Sequence, residues 1–254
     1  MNTLTSADGT TIAYERAGSG PAIVFVAGAF NDHSTLAPLA GALAGDFTVV
    51  TYDRRARGAS GDTKPWSIDR EAEDLDALIT EAGGSAHVFG FSSGAILALH
   101  AITRGAAVSR LVCYEPPYPF GEGNAADLPD RLGALVDAGR PGDAVELFQT
   151  EAIGLPPEVV AQLRRSPMFA SLEAMAQSVV YDSTITTGSA PPRSVTTPTL
   201  VVSGAQTWPK LATAAARTAD ELPKGRYLEV PGGVHHTIEP AVTAPVVAEF
   251  LREG

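Results

Sequence analysis

Cysteine and long apolar runs are almost absent from this sequence of 254 residues. The single cysteine, Cys113, can form no internal disulfide, and it lies in an apolar run that is typical of a buried core position. No apolar run approaches the roughly 20 residues that span a membrane. The N-terminus has neither the basic start nor the apolar core of a signal peptide. We therefore expect a soluble, cytoplasmic protein.

Basic residues are also scarce, with 18 Lys and Arg against 29 Asp and Glu and a formal net charge of -11. Such a balance argues against nucleic acid or an anionic membrane as a partner. The expected partner is a small-molecule substrate. The sequence indicates no metal and no other cofactor, and it does not define an oligomeric state.

Short apolar runs alternate with segments of helical periodicity along most of the chain. The predicted strands cover residues 22–26, 47–52, 88–91, 111–114, 199–202 and 226–230. Between them, residues 68–82 carry apolar side chains at helical spacing and stop at Gly83 and Gly84. This alternation predicts an α/β fold with a mostly parallel, doubly wound sheet.

The alternation stops between residues 116 and 198, where proline-rich ends enclose four predicted helices at 131–138, 143–152, 158–165 and 172–180. Because the chain then returns to the same sheet, we predict a core domain of residues 1–115 and 199–254 with a helical lid of residues 116–198. The alternative is extra packing with no gating role. The many apolar side chains of this segment favour a small, largely uncharged substrate.

One pentapeptide, Gly90-Phe91-Ser92-Ser93-Gly94, stands between a short β run and a series of good helix formers. Strand, tight turn and helix form the context in which Gly-x-Ser-x-Gly exposes a serine hydroxyl above the sheet edge. The two glycines remove Cβ atoms that would collide with the strand and the helix. Ser92 is therefore the predicted nucleophile. A glycine-rich turn without chemistry is the alternative.

With two further motifs, the chain resembles the α/β-hydrolase family. Residues 52–61 (YDRRARGASG) are similar to the family's Asp-x-Arg-Gly-x-Gly-x-Ser loop, and residues 231–235 (PGGVH) are similar to the loop that delivers its histidine. The resemblance implies the α/β-hydrolase fold and a serine esterase or lactonase that works through an acyl-enzyme. A small-molecule binding protein, or a non-hydrolytic cyclase or base catalyst on the same fold, is the alternative.

A serine hydroxyl needs a base within hydrogen-bond reach. His87 opens the strand behind Ser92 and His100 lies along the following helix, so neither reaches the hydroxyl. The resemblance implies His235 as the base, with His236 as the alternative.

The developing oxyanion needs two backbone donors. The N–H of Ser93 is one, and the resemblance implies that of Ala29 as the other. Three residues close to the predicted site, Phe30, His33 and Trp208, are candidates for contact with the substrate. His33 fits a plain surface residue as well.

The sequence departs from the family pattern in three places. Ala27-Gly28 replaces the usual His-Gly before the oxyanion loop, and Ala56 stands where the family has glycine. No carboxylate occurs in residues 205–208, where the family most often keeps its acid.

Some relatives instead place the acid at the end of the preceding strand, where Glu115 follows Tyr114. A carboxylate there would fix the tautomer of the histidine and stabilise its charged form. We therefore predict Glu115 as the acid. Asp182 in the lid is the alternative, and a dyad of serine and histidine is another.

Overall fold

The computed structural model describes residues 1–121 and 125–253; residues 122–124 of the predicted lid and Gly254 of the predicted core lie outside this part. In the described part, eight strands form one sheet: β1 (Asn2–Thr5), β2 (Thr11–Ala17), β3 (Ala22–Val26), β4 (Thr48–Tyr52), β5 (Ala86–Phe91), β6 (Val108–Tyr114), β7 (Thr199–Gly204) and β8 (Gly225–Val230). Their order is β1-β2-β4-β3-β5-β6-β7-β8. The β1–β2 and β2–β4 pairs are antiparallel and the others are parallel. The predicted mostly parallel sheet is confirmed.

Helices connect the strands. They are α1 (His33–Leu43), α2 (Ile68–Glu81), α3 (Ser93–Thr103), α4 (Leu128–Asp137), α5 (Pro141–Leu147), α6 (Pro157–Arg164), α7 (Phe169–Ala174), α8 (Ala176–Thr186), α9 (Pro209–Glu221) and α10 (Pro240–Arg252). A π-helical segment, Phe148–Ile153, directly continues α5. Across residues 1–121 and 125–253, no helix combines the length and the apolar character needed to cross a bilayer.

The sheet is buried on both faces, as β3 illustrates. Val24 and Val26 pack into a core with side chains of α2, α3 and α9. Ile23 and Phe25 point the other way, into a second core with α1 and α10. Successive strand residues alternate between faces, so a strand covered on both sides must be apolar throughout. This explains the continuous apolar runs of the sequence.

The strand registers bring several loops to one edge of the sheet. Val26 aligns with Gly90, Phe91 with Tyr114, and Tyr114 with Val202. The carboxyl ends of β3, β5, β6 and β7 therefore lie side by side, and β8 ends beside β7. In open α/β sheets this edge is where ligands bind.

The segment between β6 and β7 is helical and has a small apolar cluster of its own, which includes Leu128, Val145 and Phe148. Its last helices differ from the predicted single helix at 172–180. The Ser178 hydroxyl donates to the Met175 carbonyl (2.7 Å), and Met175 separates α7 from α8. A side-chain bond of this kind competes with the regular backbone ladder.

Candidate active site

Ser92 occupies the tight turn between β5 and α3. Its backbone has φ 56° and ψ −127°, which places a side chain in a conformation that L-residues rarely adopt. A Cβ on Gly90 would lie 2.5 Å from the Ala95 Cα, and one on Gly94 would lie 2.3 Å from the Val26 carbonyl oxygen. The turn therefore tolerates only glycine at both positions, as the sequence pattern predicts.

The chain after β3 passes close to this turn. A Cβ on Gly28 would lie 2.7 Å from the Ser92 Cβ, so the absence of a side chain lets the two backbones approach. The next residue, Ala29, lines the same cavity as Ser92 and Ser93. The two residues that were expected to donate to an oxyanion thus line one cavity with Ser92. Asn31 Nδ2 donates to the Ala29 carbonyl and holds this loop.

Glu115 follows β6 and is fully buried. Its Oε1 accepts the Gly204 N–H (2.8 Å), and its Oε2 accepts the Thr207 hydroxyl (2.9 Å). The same Oε2 lies 2.5 Å from His236 Nδ1. Its backbone has φ 49°, in the left-handed region. Three contacts and a strained backbone orient this carboxylate toward the imidazole.

His236 is held by rings as well as by the carboxylate. Its ring lies 4.7 Å from that of Phe91 and 6.1 Å from that of Trp208, measured between centroids. It lines the cavity together with Ser92. A carboxylate on Nδ1 leaves Nε2 as the proton acceptor, which is the tautomer that a base for a serine hydroxyl requires.

The structure places His236, and not the expected His235, against Glu115. His235 is exposed, and its N–H donates to the Gln206 carbonyl. Both histidines have positive φ, 50° for His235 and 68° for His236. The loop before them packs closely against the end of β7, since a Cβ on Gly233 would lie 2.7 Å from the Gly204 Cα. This close packing and the two left-handed residues direct the second histidine inward.

Asp182 on α8, the alternative acid, is almost wholly buried and contacts other groups. Its Oδ1 accepts from the Ser93 hydroxyl (2.7 Å) and from Arg54 Nη1 (2.8 Å), and its Oδ2 accepts from Arg57 Nη2 (2.6 Å). Burial alone raises the pKa of Asp182, but the Arg57 and Arg54 charges outweigh it, so the pKa lies below its usual value. Both carboxylate oxygens are engaged by these partners rather than by a histidine.

A cavity of about 460 Å³ opens above these groups. Its apolar lining includes Tyr118, Phe120, Phe148, Ile153, Trp208 and Leu211. Of the three residues expected to contact substrate, Trp208 lines it and two do not. The Phe30 ring packs edge-on against the Phe148 ring, 5.5 Å between centroids. The His33 side chain and its backbone N–H bond to Asp53.

A family model described as "Alpha/beta hydrolase family" matches residues 23–247. The chain belongs to the alpha/beta hydrolase family. A crystal structure of an alpha/beta hydrolase from Sphaerobacter thermophilus is 44% identical, with a TM-score of 0.89 over 98% of this chain and 100% of that one. The resemblance seen in the three sequence motifs is confirmed.

Two relatives of this chain have names that denote hydrolytic enzymes. A 2-(acetamidomethylene)succinate hydrolase from Mesorhizobium japonicum is 27% identical over 95% of this chain and 91% of its own length. The 3-oxoadipate enol-lactonase 1 of Acinetobacter baylyi is 35% identical over 38% of this chain and 37% of its own length. These relatives support hydrolase activity.

The Asp53 loop of this hydrolase shows how the chain accommodates one departure from the family pattern. The Asp53 carboxylate accepts hydrogen bonds from the Ala59 N–H and the His33 N–H, and it also contacts His33 Nδ1. Each of these distances is 2.8 Å. Burial lowers the pKa of His33, but the Asp53 carboxylate outweighs it and the pKa lies above its usual value. Ala56, which replaces glycine, adopts φ 57°. The bonds to Asp53 hold the loop despite that strained residue.

The side-chain oxygen and nitrogen atoms of Asp32, His33 and Asp53 lie within 4.8 Å of one another, close enough to bind one metal ion together. Hydrogen bonds within the loop account for this cluster. Asp32 caps α1 by accepting the Ser34 N–H (2.9 Å), and the Asp53 carboxylate is already engaged. The cluster therefore does not indicate a metal site.

Sequence reasoning missed the wall of the hydrolase cavity that α9 forms. Lys210, Thr213 and Arg217 line it at the spacing i, i+3 and i+7 of one helical face. All three are exposed. Lys210 Nζ donates to the Ile153 carbonyl (3.3 Å), and the Arg217 guanidinium lies 4.2 Å from the centroid of the Phe120 ring. The signal in the sequence was this polar spacing directly after Trp208 and Pro209.

Proposed function

We propose that this hydrolase cleaves an ester, a lactone or a similar acyl bond of a small substrate through an acyl-enzyme on Ser92. One observation carries the proposal: Glu115 contacts His236 at the sheet edge where Ser92 stands on a strained turn, and Ser92 and His236 line one cavity. A carboxylate, an imidazole and a hydroxyl in this order form the constellation used for acyl transfer.

In the proposed reaction His236 Nε2 takes the proton of the Ser92 hydroxyl while Oγ bonds to the acyl carbon. The carbonyl π electrons move to the oxygen, and the N–H groups of Ser93 and Ala29 stabilise the resulting oxyanion. When the oxyanion collapses, the bond to the leaving oxygen breaks and His236 returns the proton to it. Water then repeats the sequence on the acyl-enzyme, and Glu115 stabilises the charged imidazole in both halves.

A first prediction separates this proposal from a binding protein or a non-hydrolytic enzyme on the same fold. Incubation with a serine-reactive fluorophosphonate is expected to add one phosphonyl group to the protein, because only an activated hydroxyl attacks phosphorus at neutral pH. Intact-mass measurement followed by peptide mapping is expected to place the group on Ser92. The Ser92→Ala variant serves as the control and is expected to remain unlabelled.

Two outcomes of that experiment contradict the proposal. A label on Ser93 would mean that the wrong serine was assigned as the nucleophile. An unlabelled protein with no turnover of any ester or lactone would favour the binding protein or a cyclase, neither of which needs an activated serine.

For the substrate, we propose a small and largely uncharged acyl compound, covered by the helical segment of residues 116–198 acting as a lid. Side chains of this segment supply much of the apolar lining, among them Tyr118, Phe120, Phe148 and Ile153. Apolar linings with a few polar groups are typical of small-molecule sites. The Asp182 carboxylate, which also lines the cavity, is neutralised by two arginines.

A carboxylate-bearing substrate is a second candidate, because one observation favours it. Lys210 and Arg217 place two positive charges on the cavity wall of a protein with a net charge of -11. The two relatives named above act on a succinate derivative and on an enol-lactone of oxoadipate, and both of these names denote carboxylates.

A second prediction compares the two candidates. We expect kcat/KM for a neutral p-nitrophenyl ester to exceed that for an ester of equal length with a terminal carboxylate by about tenfold or more, because desolvating the carboxylate in an apolar cavity costs free energy. Initial rates over a matched chain-length series provide the measurement. Rapid turnover of the carboxylate series, with a KM that rises in Arg217→Gln and Lys210→Gln, would replace the first candidate by the second.

A further inference from the structure

A buried ion-pair network lies directly behind the turn that carries Ser92. Asp182 bridges Arg54 and Arg57, and Arg54 also forms two bonds to Glu71, at 2.7 and 3.0 Å. All four side chains are 1% exposed or less. Two guanidiniums thus face two carboxylates, and the network is neutral as a whole.

This network contacts both sides of the proposed oxyanion hole. On one side, the Ser93 hydroxyl donates to Asp182 Oδ1 (2.7 Å). On the other, Arg54 Nη1 donates to the Ala27 carbonyl (3.0 Å), two residues before Ala29. The same Nη1 binds Asp182 Oδ1 (2.8 Å). One carboxylate oxygen therefore connects the two chain segments that would supply the donors.

Arg54 supports the loop after β3 through its bond to the Ala27 carbonyl. Donors that stabilise an oxyanion are effective because they are already oriented before the reaction and need no reorganisation. Fixing the two segments by buried, charge-assisted bonds is a direct way to orient them.

We infer that Asp182 is a positioning residue for the oxyanion hole, which acts through the Ser93 hydroxyl and through Arg54 without touching the substrate's reacting atoms. The inference rests on the proposed acyl-transfer function. It also assigns a role to a carboxylate that would otherwise be a rival acid for the histidine. Because Asp182 belongs to α8, it makes the geometry of the site depend on the helical segment between β6 and β7.

The test uses Asp182→Asn, Ser93→Ala and the double variant in the full-length protein. Ser93→Ala keeps the backbone N–H and removes only the hydroxyl that Asp182 holds. For each variant, kcat and KM with a neutral ester are measured together with the Kd of phenylboronic acid, which forms a tetrahedral adduct with an active-site serine. Thermal unfolding verifies the fold. Tyr181→Phe is the matched control: it is adjacent on α8, loses a bond to Asp62 and keeps its stacking on Trp66.

Asp182→Asn is expected to lower kcat by about 10- to 100-fold with KM nearly unchanged, less than the loss of an entire oxyanion donor. The Kd of the boronate should rise by a similar factor. Ser93→Ala should show the same pattern at about three- to tenfold, and the double variant should be no worse than Asp182→Asn, because both changes interrupt one connection. Tyr181→Phe should retain the wild-type kcat.

Several outcomes overturn the inference. If Asp182→Asn only lowers the unfolding temperature, its role is structural. If the kcat losses of the two single variants multiply in the double variant, Asp182 does not act through Ser93. If Asp182→Asn lowers kcat as much as Glu115→Gln does, Asp182 acts on the histidine. If Asp182→Asn does not fold, the Ser93→Ala variant by itself decides. A kcat and a boronate affinity equal to those of the wild type in Ser93→Ala would refute the inference. Wild-type turnover tests the proposed function separately; a wild-type protein with neither turnover nor boronate binding would overturn both.

Discussion

Replacing His236 by glutamine is expected to lower kcat by about four powers of ten or more. The physical reason is that a serine hydroxyl is a poor nucleophile until a base takes its proton, and the proposed mechanism assigns this task to His236. Glutamine has a comparable length and keeps a polar group near Glu115, but it cannot accept and return a proton. Steady-state hydrolysis of a neutral ester, with circular dichroism to verify the fold, provides the measurement.

The neighbouring histidine is the matched control for this change. His235→Gln alters an exposed side chain on the same loop, and we expect a kcat within about twofold of wild type. The opposite result, a large loss in His235→Gln with near-normal activity in His236→Gln, would restore the base that the family motif implied. Equal and large losses in both variants would indicate damage to the loop and not the removal of a base.

The second large effect is expected from Glu115→Gln, with kcat lower by about three to four powers of ten. Glutamine preserves the volume in a fully buried position and retains an oxygen for the Gly204 N–H. It removes the negative charge that, in the proposed mechanism, stabilises the imidazolium. An amide N–H facing His236 Nδ1 also favours the wrong tautomer, in which Nε2 carries the proton and cannot accept one.

Asp182→Asn is the comparison for this variant, since both changes remove one buried carboxylate charge near the site. We expect the Glu115 variant to lose at least about tenfold more activity, because Glu115 contacts the histidine whereas Asp182 contacts arginines and Ser93. Near-full activity in Glu115→Gln with a severe loss in Asp182→Asn would reverse the assignment. If neither change matters, Ser92 and His236 operate as a dyad.

Local stereochemistry explains why the fold and the serine turn were predictable. Apolar runs such as that of β3 indicate a strand that is buried on both faces of a sheet. The alternation of strands and helices predicts that the strands are parallel. The turn at Ser92 depends on atoms only a few residues apart in sequence, together with the chain after β3. The glycines at positions 90 and 94 therefore reflect a steric constraint that the sequence shows directly.

The choice between His235 and His236 depends on longer-range packing. These residues are adjacent in sequence, and both are chemically able to act as a base. Which of them contacts Glu115 depends on the close approach of Gly233 to Gly204 and on two successive left-handed residues. Neither the contact nor the backbone angles are encoded in the spacing of residues 231–236, so the motif by itself did not show that His236 is the histidine that contacts Glu115.

The sequence by itself determined the class of fold, the serine on its turn, and two carboxylates from which the partner of the histidine would come. Only the tertiary structure decided how those carboxylates are used, because a buried charge is stabilised by the groups that surround it and not by its neighbours in the chain. Glu115 is surrounded by Gly204, Thr207 and His236, whereas Asp182 meets two arginines from a loop about 125 residues away in sequence.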